Sequence, residues 1–314
     1  MPDLPKYRDL PEAPLGGRSG WGLFGPDDSV GLLNLQTPDK IVAAARLIRR
    51  GACFPLDAPN DAIAPPLASS RGIARHRVLH SPGSIGFDDV YDNVYPQVSS
   101  QWDSLGHMGY APDAFYNGAT EDDIATGRRN TIEHWARRGI AGRAVLLDLE
   151  RTVGGGDDYD LGTSLRFSVE DLEAARARAG VEIQPGDVLI VHTGFGAWYA
   201  RQDAGTRESL ARGEGRPGIA NGEAMCEFLW DLHIAAIASD TYAVEAFPPD
   251  RGDPTGFLHR MLIGQFGMAL GELWRTDALA ADCAADGVCE MFLTAAPWHA
   301  PGAIGSPANA LAIK

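Results

Sequence analysis

The sequence predicts an α/β fold in one domain, with an α+β elaboration in its first part. Three apolar runs, at residues 144–149, 187–192 and 234–239, have the length and continuous hydrophobicity of strands buried on both faces of a sheet. Segments with helical periodicity lie between them, as expected where helices cover a largely parallel sheet. Residues 1–125 do not alternate in this way, because turn residues interrupt their short apolar runs. The α/β core is therefore expected in the later part of the chain.

The elements can be assigned in order from local signals. Residues 1–37 are rich in Gly, Pro and Asp, which indicates an extended N-terminal segment before a domain that covers 38–314. Thr37 is the expected N-cap of the first helix, because Pro38 stands in its first turn and Gly51 follows its apolar pattern. Further helices are predicted at residues 130–138, 168–179, 221–232 and from residue 258 to 264.

The helix predicted from residue 168 has a defined start. Ser168 and Asp171 are three residues apart, which is the spacing of a capping box. Asp stands here where Glu or Gln is commoner. The spacing predicts that this helix begins at Ser168.

Charge and composition exclude several classes of protein. The chain has 314 residues, 27 Lys and Arg against 42 Asp and Glu, and a formal net charge of −15. Such an acidic chain repels phosphate backbones and anionic lipids, so we expect neither a nucleic-acid nor a membrane partner. No apolar window approaches the ~18 residues of a membrane span, and the N-terminus lacks the apolar stretch of a signal peptide. We expect a cytoplasmic protein that acts on a small molecule.

The four cysteines are Cys53, Cys226, Cys283 and Cys289, and none of them forms a CxxC pair. Cys283 and Cys289 have five residues between them, which is not the spacing of a zinc site. Buried or incidental thiols in a reducing compartment are the expectation for such a pattern.

The segment over residues 97–107, QVSSQWDSLGH, concentrates polar side chains that could carry chemistry. In a strand, Gln97, Gln101 and Asp103 would share one face, and His107 would follow after a turn at Gly106. A carboxylate beside a histidine is the minimal general-base pair, because the carboxylate fixes the tautomer and stabilises the imidazolium. The alternative is a buried turn in which the histidine is only hydrogen-bonded, and the residues alone leave both open.

Other titratable residues stand where site residues collect. His192 ends the second predicted strand, and Asp240 and Glu245 follow the third, at the carboxyl ends where α/β folds often bind ligands. His259 and Glu272 could meet at a metal if the chain between them folds back. Local capping or pairing is the alternative for each.

Seven stretches of the sequence occur in a particular order and spacing, and this combination is more specific than any single stretch. They lie at residues 21–38, 101–107, 135–143, 186–194, 234–240, 259–273 and 302–307. Together they resemble the cyclase family of metal-dependent hydrolases, which includes kynurenine formamidase and isatin hydrolase. The resemblance implies a swivelling β/β/α fold and a homo-oligomer, dimer or tetramer. It also implies a divalent metal that activates water to open an amide or lactone bond.

The chain departs from the core motif of that family, HxGTHxDxPxH. Laid on the sequence from residue 97, the motif puts Gln97 and Gln101 at its first two histidines, while Asp103 and His107 match its aspartate and last histidine. The later His and Glu of the family correspond to His259 and Glu272. Ser99, Ser100 and Leu105 replace the Gly, Thr and Pro of the motif.

The exchange of two histidines for glutamines changes the expected metal site. A glutamine offers only a neutral amide oxygen, which is a weaker ligand than an imidazole nitrogen. The resemblance leaves Asp103, His259, Glu272 and Gln101 as metal ligands, with Gln97 a weaker candidate. This oxygen-rich set suits Mn²⁺ or Mg²⁺ better than tightly held Zn²⁺. The cofactor that we expect for the protein is Mn²⁺ or Zn²⁺. The alternative is that the metal has been lost and a polar pocket remains.

The leading hypothesis is a hydrolase that opens an amide, imide or lactone bond of a small, cyclic or aromatic substrate. His107 would take a proton from metal-activated water, while Trp21, Trp102 and Phe195 would supply apolar walls. A second hypothesis is a lyase, isomerase or cyclase without a metal, in which Asp103 and His107 exchange protons. A third is a catalytically degenerate protein that only binds a ligand.

Overall fold

A mixed sheet of nine strands organises the molecule, whose computed structural model describes residues 4–156, 158–213 and 215–314. Among these residues the strands are β1 (Cys53–Pro55), β2 (Arg75–Leu79), β3 (Asp88–Asp92), β4 (Gln101–Asp103), β5 (Ile140–Asp148), β6 (Arg166–Phe167), β7 (Val188–His192), β8 (Gly218–Ile219), β9 (Ala236–Ser239), β10 (Ala269–Glu272), β11 (Glu290–Ala295), β12 (Gly305–Pro307) and β13 (Ala310–Ile313).

Helices connect and cover these strands. They are α1 (Pro38–Ala45), α2 (Glu121–Ala125), α3 (Ile132–Arg138), α4 (Leu149–Val153), α5 (Val169–Ala179), α6 (Phe195–Ala200), α7 (Ala204–Arg212), α8 (Glu223–Asp231), α9 (Leu258–Leu262) and α10 (Asp277–Asp286). Among the described residues, no helix combines the length and apolarity that crossing a bilayer requires.

The large sheet has the strand order β1-β13-β11-β5-β7-β9-β10-β4-β12. Its centre is parallel, because β5, β7, β9 and β10 run side by side in the same direction, while the flanking strands pair antiparallel. Every residue of β7 and β9 is buried. The α/β core and its three buried strands are therefore confirmed, and β6 with β8 and β2 with β3 form two small separate sheets.

The predicted start of α5 is confirmed, whereas the predicted cap and end of α1 are wrong. Ser168 and Asp171 form the predicted capping box at the start of α5. Thr37 precedes α1 but its side chain makes no capping hydrogen bond, and the helix ends at Ala45 rather than near Gly51. Beyond the helix, the N–H groups of Arg50 and Ala52 bind the carbonyl oxygen of Lys314, so pairing with the C-terminal strand replaces helical bonds.

The segment at 97–107 forms a shorter strand than predicted. Only Gln101–Asp103 is extended, while Gln97 lies in a single 3₁₀ turn, Pro96–Val98, before it. The expectation that Gln97 shares a strand face with Asp103 is therefore wrong. The Gln97 amide instead occupies the space that a Cβ at Gly305 would need. The polar face of the strand is reduced to Gln101 and Asp103.

Candidate active site

Two adjacent strands present polar side chains on one face of the sheet. In the antiparallel pair of β4 and β10, Gln101 lies opposite Glu272, and Asp103 lies opposite Leu270. Since side chains alternate along a strand, Gln101, Asp103 and Glu272 share this face and Trp102 points to the other. Asp103 is fully buried and Glu272 is 3% exposed. Two carboxylates are thus held close together away from water.

His259, on α9, reaches this face and bridges two carboxylates. Its Nδ1 lies 2.6 Å from Glu245 Oε1 and its Nε2 lies 3.0 Å from Glu272 Oε1. Burial alone would lower the pKa of His259, but hydrogen bonds to Glu245 and Glu272 outweigh it and raise that pKa to about 10. The chain between His259 and Glu272 therefore does fold back, as the sequence suggested it could.

Glu245 fixes the orientation of His259. Besides the imidazole, its carboxylate accepts hydrogen bonds from the backbone N–H groups of Leu258 and His259, at 2.6 and 2.9 Å. The sequence pointed to Glu245 by its place after β9, but it gave no reason to pair this carboxylate with His259. A residue that orients a ligating histidine in this way also raises its basicity.

His107 is the member of the cluster that meets solvent. It follows a turn after β4, and its side chain is 19% exposed. Its Nδ1 lies 3.7 Å from Asp103 Oδ1, which is too long for a hydrogen bond. Burial, and then the positive charge of His259, lower the pKa of His107 to about 4. The imidazole is therefore neutral at pH 7 and able to accept a proton.

Gln101 serves the carboxylates as a hydrogen-bond donor. Its Nε2 donates to Glu272 Oε2 at 2.9 Å and to Asp103 Oδ2 at 3.3 Å, while its buried Oε1 has no partner. An amide nitrogen is not a metal ligand, so in this orientation Gln101 bridges the two carboxylates. Its predicted role as a ligand remains a prediction.

The cluster fits a divalent cation. Three possible ligand atoms lie within 4.8 Å of one another, one each from Asp103, His107 and His259. Asp103 Oδ1 is buried and has no hydrogen-bond partner. Burial, and then the nearby charge of Glu272, raise the pKa of Asp103. A cation would offset both the unpartnered oxygen and the repulsion between the carboxylates.

One positively charged neighbour of the cluster, Arg71, was not predicted from the sequence. Arg71 lies in the loop before β2 and donates to the carbonyl oxygen of Gln97. Its charge acts on Asp103, His107 and Glu272. A Gly- and Ser-rich loop carries no periodic signal, so nothing in the sequence connected Arg71 with this cluster.

The three aromatic residues predicted as pocket walls lie in different places. Trp102 is fully buried on the opposite face of the sheet, with ring contacts to Trp135 and Trp274. Phe195 lines a separate cavity of about 480 Å³. Trp21 is half-buried, and its Nε1 donates to the carbonyl oxygen of Gly264, shortly after α9.

His192 and Asp240 form a second cluster at the carboxyl ends of β7 and β9. His192 Nδ1 lies 2.7 Å from Thr276 Oγ1 and 3.4 Å from Asp240 Oδ2. Asp240 Oδ1 also accepts hydrogen bonds from the N–H and hydroxyl groups of Thr193. Among the contacts of the described residues, neither side chain bonds to Asp103, and the two residues link the ends of β7 and β9 instead.

Fold and site together define a class of α/β protein with a buried carboxylate and histidine cluster that fits a divalent cation. Residues 55–246, more than half of the chain, match the family model named Cyclase. A crystal structure described as a novel cyclase is 33% identical in sequence, with a TM-score of 0.84, over 94% of this chain and 99% of that one. The chain therefore belongs to the cyclase family.

More distant structures share the fold. Isatin hydrolase A from Labrenzia aggregata, bound to benzyl benzoate, is 17% identical with a TM-score of 0.59, over 87% of this chain and 97% of that one. Isatin hydrolase A from Ralstonia solanacearum is 18% identical with a TM-score of 0.59, over 88% and 98%. No curated protein sequence matches the chain significantly. The cyclase-like single-domain fold expected from the resemblance is confirmed.

Proposed function

We propose that this protein is a hydrolase that opens an amide, imide or lactone bond of a small substrate with metal-activated water. The observation that carries the proposal is the buried, unpartnered Asp103 Oδ1, which lies in a group of three possible ligand atoms with His107 and His259. An oxygen without a partner in the interior is costly, and a bound ion is one partner that can satisfy it. The reaction type is supported by the isatin hydrolases that share the fold.

Asp103, His259 and Glu272 are the residues that would hold the cation. The raised pKa of His259 means that its imidazole carries both protons without a metal, so it would give up the Nε2 proton to act as a ligand. Glu272 joins the set because its Oε1 lies 3.0 Å from His259 Nε2. Burial would raise the pKa of Glu272, but the hydrogen bond from His259 outweighs it and lowers that pKa, so this carboxylate is ionised at neutral pH. When bound, such a cation supplies Lewis acidity, which polarises a carbonyl and makes water a better nucleophile.

His107 would move the proton. It is neutral at pH 7 because its pKa is lowered to about 4, and it is the partly exposed member of the cluster. The neutral imidazole has a free position for the proton of the attacking water, and its low pKa means that the imidazolium would pass this proton readily to the leaving nitrogen or oxygen. Glu245 would keep His259 aligned throughout.

A second candidate, acid/base chemistry without a metal, is favoured by one observation. Burial and the charge of Glu272 raise the pKa of Asp103, which makes this carboxyl a proton donor beside the neutral His107. Such a pair could serve a lyase, isomerase or cyclase. The two candidates differ in whether activity needs a cation.

Metal content is the first test. We expect near-stoichiometric Mn or Zn in protein purified without chelator or a nickel column, measured by elemental analysis. Asp103→Ala and Glu272→Ala should both lose it. Asp240→Asn, which alters a buried carboxylate outside the cluster, should retain it. Wild-type protein that stays metal-free after incubation with Mn²⁺ and with Zn²⁺ would contradict the metal proposal.

Activity separates the remaining candidates. On a panel of small amides, imides and lactones, His107→Ala should lower kcat by about 10²–10⁴-fold while the metal content stays unchanged. Exhaustive chelation should abolish turnover, and added Mn²⁺ should restore it. Turnover that survives chelation would instead support the metal-free acid/base reaction. Unchanged turnover in His107→Ala would exclude His107 as the base.

A further inference from the structure

Two cysteines meet at the end of α10, outside the candidate active site. Cys283 lies in the last turns of α10 and Cys289 stands just before β11. Both line the same cavity, where each thiol shifts the pKa of the other. The Nζ of Lys314 lies 3.6 Å from Cys283 Sγ. The same ammonium group lies 2.8 Å from carboxylate oxygens of Asp282 and Asp286, which hold it in place.

The pair is accessible to a small reagent. A cavity of about 220 Å³ is lined by both cysteines. Arg151 and Arg178 line it as well, with Asp148 as their acidic counterpart. Cys283 is buried and Cys289 is half-buried. Cys289 is therefore the thiol that a reagent entering this space reaches more easily, and Cys283 is the second thiol of the same cavity.

The surroundings favour the thiolate form of Cys289. The hydrogen bond from Cys283 lowers the pKa of Cys289 to about 7, against the effect of burial, and the Lys314 ammonium acts in the same direction. The same pairing raises the pKa of Cys283, which keeps that thiol protonated. One partner is thus prepared as a nucleophile and the other as a proton-bearing second thiol.

We propose that Cys283 and Cys289 form an oxidation site at which a hydroperoxide converts the two thiols into a disulfide. The Cys289 thiolate attacks the terminal oxygen of the hydroperoxide, so that an S–O bond forms, the O–O bond breaks and an alcohol leaves after taking a proton. The Cys283 sulfur then attacks the sulfenic acid, so that the S–S bond forms and the hydroxyl group leaves as water with the Cys283 proton. The two thiols lose two electrons, which reduce the hydroperoxide to alcohol and water.

The remaining two cysteines provide internal controls. Cys226 is buried, and Cys53 is exposed with its Sγ near the carbonyl oxygen of Gly51. Neither sits beside another thiol or an ammonium group in the contacts of the described residues. The proposal therefore predicts a specific linkage rather than general oxidation of exposed thiols.

The test is a peptide map of the full chain after mild treatment with hydrogen peroxide. We expect intact mass to fall by two hydrogens and the map to contain a reducible peptide that joins Cys283 to Cys289. Cys53→Ser and Cys226→Ser should leave this linkage unchanged. Cys283→Ser should stop at a sulfenic acid on Cys289 that dimedone traps, and Cys289→Ser should leave Cys283 reduced.

Lys314→Met removes the ammonium without touching either sulfur, so it should slow disulfide formation severalfold. The wild-type peptide map does not depend on whether any variant folds. A map in which Cys53 is oxidised while Cys283 and Cys289 stay reduced would overturn the proposal. So would sulfenic acid that persists on Cys289 in the wild-type chain, because it would show that Cys283 cannot reach it.

Discussion

Glu245 is the single residue on which the orientation of His259 depends most. Its carboxylate accepts hydrogen bonds from the imidazole and from two backbone N–H groups of α9. We expect Glu245→Gln to weaken Mn²⁺ binding by about 10–100-fold, because a neutral amide orients the imidazole less firmly and lowers its basicity. Isothermal titration calorimetry on metal-stripped protein measures this change.

Glu133→Gln is the matched control for Glu245→Gln. Glu133 is also buried, but its carboxylate pairs with Arg137 on α3. Its replacement should leave Mn²⁺ affinity unchanged. Equal affinities in wild type and Glu245→Gln would show that His259 is not a ligand whose orientation matters.

The residues of the candidate site could be predicted only in part. Asp103, His107, His259 and Glu272 came from their spacing and from a family resemblance, and the structure brings them together. The rotation of the Gln101 amide toward two carboxylates depends on the pairing of β4 with β10, which is a long-range contact. The role of Glu245 depends on such contacts too, so no local pattern could reveal it.

At the scale of elements, helix α5 shows what a capping box contributes. The Ser168 hydroxyl accepts a hydrogen bond from the N–H of Asp171, while the Asp171 carboxylate accepts one from the N–H of Ser168. We expect Ser168→Ala to lower the free energy of unfolding by about 1 kcal/mol. Urea denaturation followed by circular dichroism gives this value.

Thr37→Ala is the matched control for Ser168→Ala. Thr37 holds the same position before α1, but its side chain makes no capping hydrogen bond. Its replacement should therefore change the free energy of unfolding much less. Similar losses in the two variants would mean that hydroxyl capping is not what stabilises α5.

The contact between His192, at the end of β7, and Asp240, after β9, makes the free energy of unfolding depend on pH. Burial would lower the pKa of His192, but the carboxylate of Asp240, 3.4 Å from its Nδ1, outweighs burial and raises that pKa from 6.5 to about 9. The folded state therefore holds this proton more tightly than the unfolded state does. The resulting stabilisation is complete below pH 6.5 and is lost as the pH rises toward 9.

The size of this effect is on the order of 3 kcal/mol. We expect the free energy of unfolding of the wild type to fall between pH 6.5 and 9 more steeply than that of His192→Gln. Urea titrations of both proteins across this range measure the difference. Parallel curves would show that His192 does not keep its proton in the folded state.

The elements that could be predicted are those whose environment is uniform along their length. Strands β7 and β9 are buried throughout, so their sequences are continuous apolar runs. Strand β4 is only three residues long and alternates polar and apolar side chains, so it could not be separated from the turns around it. The end of α1 was also unpredictable, because it depends on the far end of the chain.

At the scale of the whole molecule, the hairpin of β2 and β3 exposes apolar side chains to solvent. Its side chains are exposed on nearly every position. Phe87 stacks on His80, and Ile85 at the tip is fully exposed. An isolated two-stranded hairpin is marginally stable in water, and exposed apolar clusters of this kind mark contact surfaces.

The same chain offers a place for that tip. Near the foot of the hairpin, Tyr91, Tyr95 and Trp298 border a cavity of about 220 Å³. A second copy related by a two-fold axis could place its Phe87 and Ile85 in this cavity while its own cavity receives the first hairpin, because an isologous contact is self-complementary. We therefore expect this chain to form a homo-oligomer in which the hairpins make the contact.

The assembly prediction is tested with charges placed at the tip. We expect light scattering to show a dimer or larger assembly for the wild type, and a monomer for the double variant Ile85→Asp, Phe87→Asp with unchanged circular dichroism. Val42→Asp, at an apolar residue exposed on α1, should leave the assembly intact. A wild-type monomer at high concentration, or a tip variant that still assembles, would mean that the exposed hairpin has another role. Since the hairpin lies outside the Asp103 cluster, metal content should not change in either variant.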